Sequence, residues 1–249
     1  MLLNTQVGSV AELVEALTKH NPTGKLTRWY RGQSNVAWKL VPNIGRKPND
    51  PERELGLFKR FKQNAFSIPG RMPADSWDWL FLMQHHGLPT RLLDWSENPL
   101  VATYFAITDP STTAEDGCVW CLDPIGLNEA AGIQPVVDGE LPFFGIDEDL
   151  KVYMTESVAG SAKVRKPPVA ALASRYFPRL VAQAGVFTVT HREQIAIDDA
   201  HGSKFVGKLV IPSAKKAQLQ AELRLLGITR LALFPELDVV AQVAKELMQ

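Results

Sequence analysis

QHHGLPTRLLDWSENPLVATYFA (84–106) is the stretch whose reading decides the fold. Its second half is easily placed. Asn98 suits an N-cap and Pro99 the first helical position, where a missing N–H costs nothing. Leu100, Ala102, Tyr104, Phe105 and Ala106 leave this helix little polar surface, so it is expected to be buried on several sides. Upstream, DSWDWLFLMQH (75–85) reads as another helix with Asp75 as its N-cap. Between the two lies a stiff, polar segment with two histidines, an Arg, an Asp and a Trp. It reads as a loop, either an elaborate turn or the rim of a site.

Working outward, Ser9 and Glu12 form a capping-box signature before an apolar stripe of Val10, Leu13, Val14 and Leu17. After the turn NPTG, LTRWYRGQ reads as a strand rich in aromatic and β-branched residues. Residues 51–66 place Leu55, Phe58 and Phe61 at helical spacing. GCVWCLD (117–123) reads as a buried strand. Residues 124–168 are irregular, with an acidic run and no firm element. AQAGVFTVT (182–190) and KFVGKLVI (204–211) read as strands around a polar hairpin region. Ser213 is expected to cap a helix reaching Leu226, with Gly227 ending it. ITRLALF then reads as a short last strand, and Pro235 opens a terminal helix. There is no internal repeat and no strict βαβ rhythm, so the expected class is α+β, a mixed sheet flanked by helices. The helix within 1–25 belongs to the same domain as 26–249, which carries an irregular insertion near 124–168.

The totals bound the function. The chain has 249 residues, 45% hydrophobic and 22% charged, and its 27 basic and 27 acidic side chains cancel. No global field draws it to nucleic acid or an anionic membrane. No apolar run approaches the roughly 20 residues that span a bilayer. The first twenty residues lack the basic and apolar regions of a signal peptide, so a cytoplasmic location is expected. Cys118 and Cys121 lack the second pair of a zinc site and the context of a redox motif. In a strand, residues three apart point to opposite faces, so both read as structural.

Several residues carry candidate chemistry. Arg31 offers a planar five-donor fork suited to phosphate or carboxylate, and Gly32 behind it permits close approach of a ligand to the backbone. The alternative for Arg31 is a pairing with a nearby acid. His85 and His86 form a potential metal pair with Asp94 or His191 as a third ligand, but the spacing matches no metal motif and no metal is expected. A histidine capping the helix C-terminus is the simpler reading. Asp94 either caps its own turn or anchors Arg91 or Arg31. Dinucleotide-fold, P-loop, HExxH and GxSxG templates are absent.

Four motifs taken in order resemble the FRG domain family, named for a Phe/Tyr-Arg-Gly step. They are YRGQ (30–33) with Trp38 and Leu40-Val41-Pro42, then QHHGLPTRLLDWSENPLVATYFA (84–106), AQAGVF (182–187) and LGITRLALFPELD (226–238). The resemblance runs from about residue 27 to 245. A looser resemblance, to the three-part layout of ADP-ribosyltransferases, implies more. It implies NAD as the substrate cofactor and an enzyme that moves ADP-ribose to a macromolecular acceptor or hydrolyses NAD. It gives Arg31, with Gly32 and Gln33, the dinucleotide contact, and the 90–98 turn, with Thr90 and Arg91, the nicotinamide pocket. An acid belongs near Gln183, where this chain has an amide that cannot supply negative charge to an oxocarbenium-like transition state. Asp94, or Glu193 if the hairpin brings it round, then takes that part, with His85 or His86 orienting substrate or moving a proton. The same pocket in a non-catalytic ligand-binding module is the alternative, and a metal-dependent hydrolase is a third. The FRG resemblance also implies a toxin or defence setting.

Overall fold

In the computed structural model, the described residues are 5–46, 51–68, 72–133, 137, 139–160, 164–193 and 195–246, without the side chains of 51 and 52. In chain order the elements are β1 (Thr5–Gln6), α1 (Val10–His20), β2 (Trp29–Gln33), α2 (Pro51–Ala65), α3 (Ser76–His85), β3 (Leu92–Ser96) and α4 (Pro99–Ile107). There follow β4 (Gly117–Leu122), α5 (Pro124–Ala130), α6 (Thr155–Gly160), β5 (Val169–Ala171), α7 (Pro178–Ala182) and β6 (Gly185–Val189). The chain ends in β7 (Val206–Ile211), α8 (Lys216–Leu225), α9 (Arg230–Leu233) and α10 (Leu237–Glu246). The fold is α+β. Its seven strands form one mixed sheet in the order β1-β7-β4-β2-β3-β6-β5, with β1 parallel to β7 and every other pair antiparallel.

The caps behave as their chemistry dictates. Ser9 Oγ accepts from the Glu12 N–H, and Glu12 Oε2 reaches back to the Gly8 N–H at 2.6 Å, one residue earlier than in the usual box. Asp75 accepts from Asp78 N, and Asn98 accepts from Leu100 N with Pro99 following. On α1 the inward stripe is Leu13 and Ala16, whereas Val14 is exposed.

The largest correction concerns residues 92–96. They are not a loop but β3, which pairs with β6 from Leu92↔Val189 to Ser96↔Gly185. LLDWS buries both faces except at Asp94, so its polarity is confined to one position of an otherwise interior strand. ITRLALF is not a strand: Thr229 accepts from Ala232 N and starts α9. Ser213 makes no capping bond through its side chain; it opens a 3-10 turn (213–215) that runs into α8. The strands flanking the supposed hairpin region, β6 and β7, are separated in the sheet by β3, β2 and β4. The irregular stretch 124–168 contains α5, a 3-10 turn at 148–153 and α6.

Alternation along the strands sorts the core into two layers. One face carries two apolar clusters. The first packs Val119, Cys121, Leu209 and Ile211 against α1, α4 and α8, and the second packs Leu92, Phe187 and Val189 against α2 and α3. The opposite face carries Trp29, Leu93, Trp95, Cys118, Trp120 and Val186. Cys118 and Cys121 thus lie on opposite faces, as their spacing requires, and burial pushes both thiols up to about 12.

α4 lies almost in backbone contact with β2. A Cβ on Gly32 would fall 1.8 Å from the Ala102 carbonyl oxygen and 2.6 Å from Ala106 N, and one on Gly117 would fall 2.4 Å from the Ala106 oxygen. Glycine on the strands and alanine on the helix together allow this approach.

Candidate functional site

β2 and β3 share only the Tyr30↔Ser96 pair, although β2 pairs along its whole length with β4 and β3 with β6. Beyond that pair the two strands part, and a cleft of about 760 Å³ opens between the two clusters of that face. This is the size range of small-molecule and cofactor sites. Arg31, Gly32 and Gln33 line one side, Asp94 and Ser96 the other, and Gln183 the end where α7 meets β6.

Arg31 bridges the gap. Its Nη1 donates to the Asp94 carbonyl at 2.6 Å and lies 3.9 Å from Asp94 Oδ2. Its Nε is buried without a hydrogen-bond partner. Burial pushes the guanidinium below its ordinary value, Asp94 opposes that shift and Arg46 adds to it. The Asp94 side chain is 58% exposed, so its carboxylate remains open to a ligand. Its Oδ1 accepts from Gln84 Nε2 at 2.6 Å, and Gln84 Oε1 in turn accepts from the Thr90 hydroxyl. That second bond fixes which end of the Gln84 amide faces Asp94.

Gln183 caps α7. Its carbonyl accepts from Ser96 Oγ at 2.7 Å, and its Nε2 donates to the Leu233 carbonyl at 3.0 Å. Ala184, next in the chain, turns into β6 with φ +45°, a backbone conformation rare for a residue with a Cβ. His85 stacks on Phe177 at 4.7 Å and 7° between planes. Burial, then the neighbouring His86, holds its imidazole below the ordinary value. The Arg179 guanidinium sits 4.6 Å from the Phe234 ring centroid, a cation–π contact on the same wall. Arg31, Arg46, Arg179 and Arg230 line the cleft against two carboxylates, Asp94 and Asp109. A neutral chain therefore has a locally cationic, aromatic-walled site, which suits an anionic ligand with flat rings.

Six of the residues given candidate chemistry from the sequence meet at this cleft: Arg31, Gly32, Gln33, His85, Asp94 and Gln183. Two of them are occupied otherwise than expected. The space over Gly32 is filled by α4, so the glycine serves helix packing. Gln33 accepts from Trp120 Nε1 at 2.7 Å and donates to the Lys39 carbonyl at 3.2 Å. His86, Thr90 and Arg91 are not among the lining residues. Helical phase puts His85 on the Phe81 side and leaves His86 exposed as the α3 C-cap. Arg91 is fully buried, bonded through its backbone N and its Nε to Glu54 and through Nη1 and Nη2 to the carbonyls of Thr190 and Tyr153.

Glu193 pairs with Arg165, and His191 packs edge-on to Tyr153; neither lines the cleft. Among the described residues, no three His, Cys, Asp or Glu side chains are grouped to hold a metal ion. Sequence reading missed Gln84, Arg46, Phe177 and Phe234. They come from four separate segments of the chain, and no local pattern signals their meeting.

Residues 27–115 match the family model described as FRG domain. This segment is an FRG domain. It runs from just before β2 to just before β4, and so contains Arg31, Gln84, Asp94 and α4. Gln183 and the α7–α9 wall lie beyond it, although the sequence motifs extend the resemblance to residue 245. No curated protein and no solved structure matches the chain.

Proposed function

We propose that the cleft binds NAD and cleaves its nicotinamide–ribose bond, passing ADP-ribose to a macromolecular acceptor or to water. One observation carries the reading: a half-buried arginine whose Nε has no partner and an exposed carboxylate line the same 760 Å³ cleft from two parting strands. Arg31 supplies a forked donor for phosphate oxygens. The aromatic walls supply surfaces on which nicotinamide and adenine stack. In the reaction the C1′–N bond breaks, and its electron pair leaves with nicotinamide. Positive charge develops on the ribose, and the Asp94 carboxylate, held by Gln84, stabilises it. A hydroxyl of the acceptor or water then adds to C1′ and loses its proton. Gln183, its amide NH2 held by Leu233, keeps Oε1 as a neutral acceptor for a ribose hydroxyl.

The experiment is incubation with NAD while following nicotinamide release and label on candidate acceptors. Release that disappears in Asp94→Asn, with NAD binding lost in Arg31→Ala, supports the reading. Absence of release at micromolar protein, with NAD binding intact in Arg31→Ala, overturns it.

A second reading, a ligand-binding module without turnover, is favoured by a specific observation. The Asp94 carboxylate is already engaged by Gln84 and lies near Arg31, and Gln183 brings no charge. Saturable binding with no product by mass spectrometry distinguishes it.

A further inference from the structure

Among the described residues, Arg46 is a cleft-lining arginine that makes no ion pair. It ends the 3-10 turn Asn43–Arg46, which Ile44 anchors by complete burial and by its N–H to the Thr90 carbonyl at 3.3 Å. Its Nε donates to the Val41 carbonyl at 3.3 Å, and the guanidinium has no ion pair among the described residues. It is exposed and lines the cleft with Arg31, whose guanidinium its charge helps to hold below the ordinary value. Two guanidiniums that repel one another cost folding free energy unless a ligand with two negative centres bridges them. Asp94, the one carboxylate near Arg31, already accepts from Gln84.

Trp38 lines the same cleft, 43% exposed on a pinned loop. Its N–H donates to the Asn35 carbonyl, Asn35 Oδ1 accepts from Ala37 N, and the Val36 N–H is tied to the Asp116 carbonyl. A large ring held open to solvent on a rigid loop is a stacking platform.

We infer that Arg31 and Arg46 form a two-armed diphosphate clamp, with Trp38 receiving the base beyond it, so that the site selects nucleoside diphosphates over monophosphates. The inference rests on the dinucleotide reading of the cleft, and its test separates the two. Affinities are measured by calorimetry for inorganic pyrophosphate, ADP, AMP, ADP-ribose and NAD, on the wild type and on Arg31→Ala, Arg46→Ala, Arg46→Lys and Trp38→Ala.

The wild type is expected to bind ADP and ADP-ribose at least about tenfold more tightly than AMP, the worth of one added charge-assisted contact. Arg46→Ala weakens pyrophosphate, ADP and ADP-ribose about tenfold or more, and narrows the ADP advantage over AMP to within about threefold. Arg46→Lys restores part of it. Trp38→Ala weakens ADP and AMP by one common factor and leaves pyrophosphate unchanged. Thermal midpoints without ligand verify that every variant folds.

Arg46→Ala binding ADP-ribose as the wild type does, or a wild type that binds AMP and ADP equally, overturns the clamp. NAD binding that needs Arg31 but not Arg46 also removes it, and leaves the dinucleotide site standing. Pyrophosphate and ADP held through Arg46 by a protein that does not bind NAD removes the dinucleotide reading instead.

Discussion

Replacing Glu54 with glutamine removes one charge and almost no volume from the interior. The Glu54 carboxylate accepts from the Arg91 backbone N at 2.8 Å, from Arg91 Nε at 2.6 Å and from the Thr155 hydroxyl at 3.1 Å, and neither Glu54 nor Arg91 is exposed. These bonds knit α2, the start of β3 and the start of α6. The guanidinium also donates to the Tyr153 and Thr190 carbonyls, so all its faces are engaged. In Glu54→Gln an amide NH2 confronts one of those donors, and the Arg91 charge is left uncompensated in a dry interior. Breaking one side of such a pair costs about 3–5 kcal/mol. Out of a total of roughly 5–15 kcal/mol this is a large share. For a chain of this size it lowers Tm by roughly 6–20 °C. Urea unfolding with a tryptophan fluorescence readout measures it. The double variant Glu54→Leu/Arg91→Met removes both charges and should lose less than the sum of the singles, with a coupling above about 2 kcal/mol. A Glu54→Gln loss under about 1 kcal/mol, or plain additivity, refutes the reasoning. The NAD binding proposed for the cleft should be the same in the folded Glu54→Gln protein as in the wild type, because the pair lies outside the cleft lining.

Other outcomes follow from the same geometry. Gly32→Ala drives a methyl into the α4 backbone, so at least about 3 kcal/mol should be lost, visible as reduced soluble yield and a lowered urea midpoint. Asn128 pairs with both backbone groups of Ala170 at 2.8 Å, standing in for a neighbouring strand at β5. Asn128→Ala should cost about 2–4 kcal/mol and raise hydrogen exchange at Ala170. Burial first, then nearby cations, lowers the folded-state values of His85 and His191, so the unfolded chain takes up protons first. Stability should therefore be full above about pH 6.5 and fall as pH drops below it, and His85→Gln should flatten that slope in unfolding experiments between pH 5 and 7. Cys118 and Cys121 should resist thiol reagents in the native protein and react only on unfolding, followed by mass spectrometry.

Local chemistry determined much of this protein from the sequence by itself. Caps at Ser9, Asp75 and Asn98, the Pro99 start of α4 and the two-faced alternation of GCVWCL are short-range effects, acting over three or four residues. The four ordered motifs were likewise readable, and with them Arg31 and Asp94. What only the tertiary structure decided turns on pairing between distant residues. LLDWS becomes a strand because β6 lies beside it, nearly a hundred residues on, and neither its length nor its polarity announces this. Arg91, three residues before Asp94, goes to the interior because Glu54 arrives from α2 to neutralise it. The cleft exists because β2 and β3 part after one pair, and that parting is a property of no single segment.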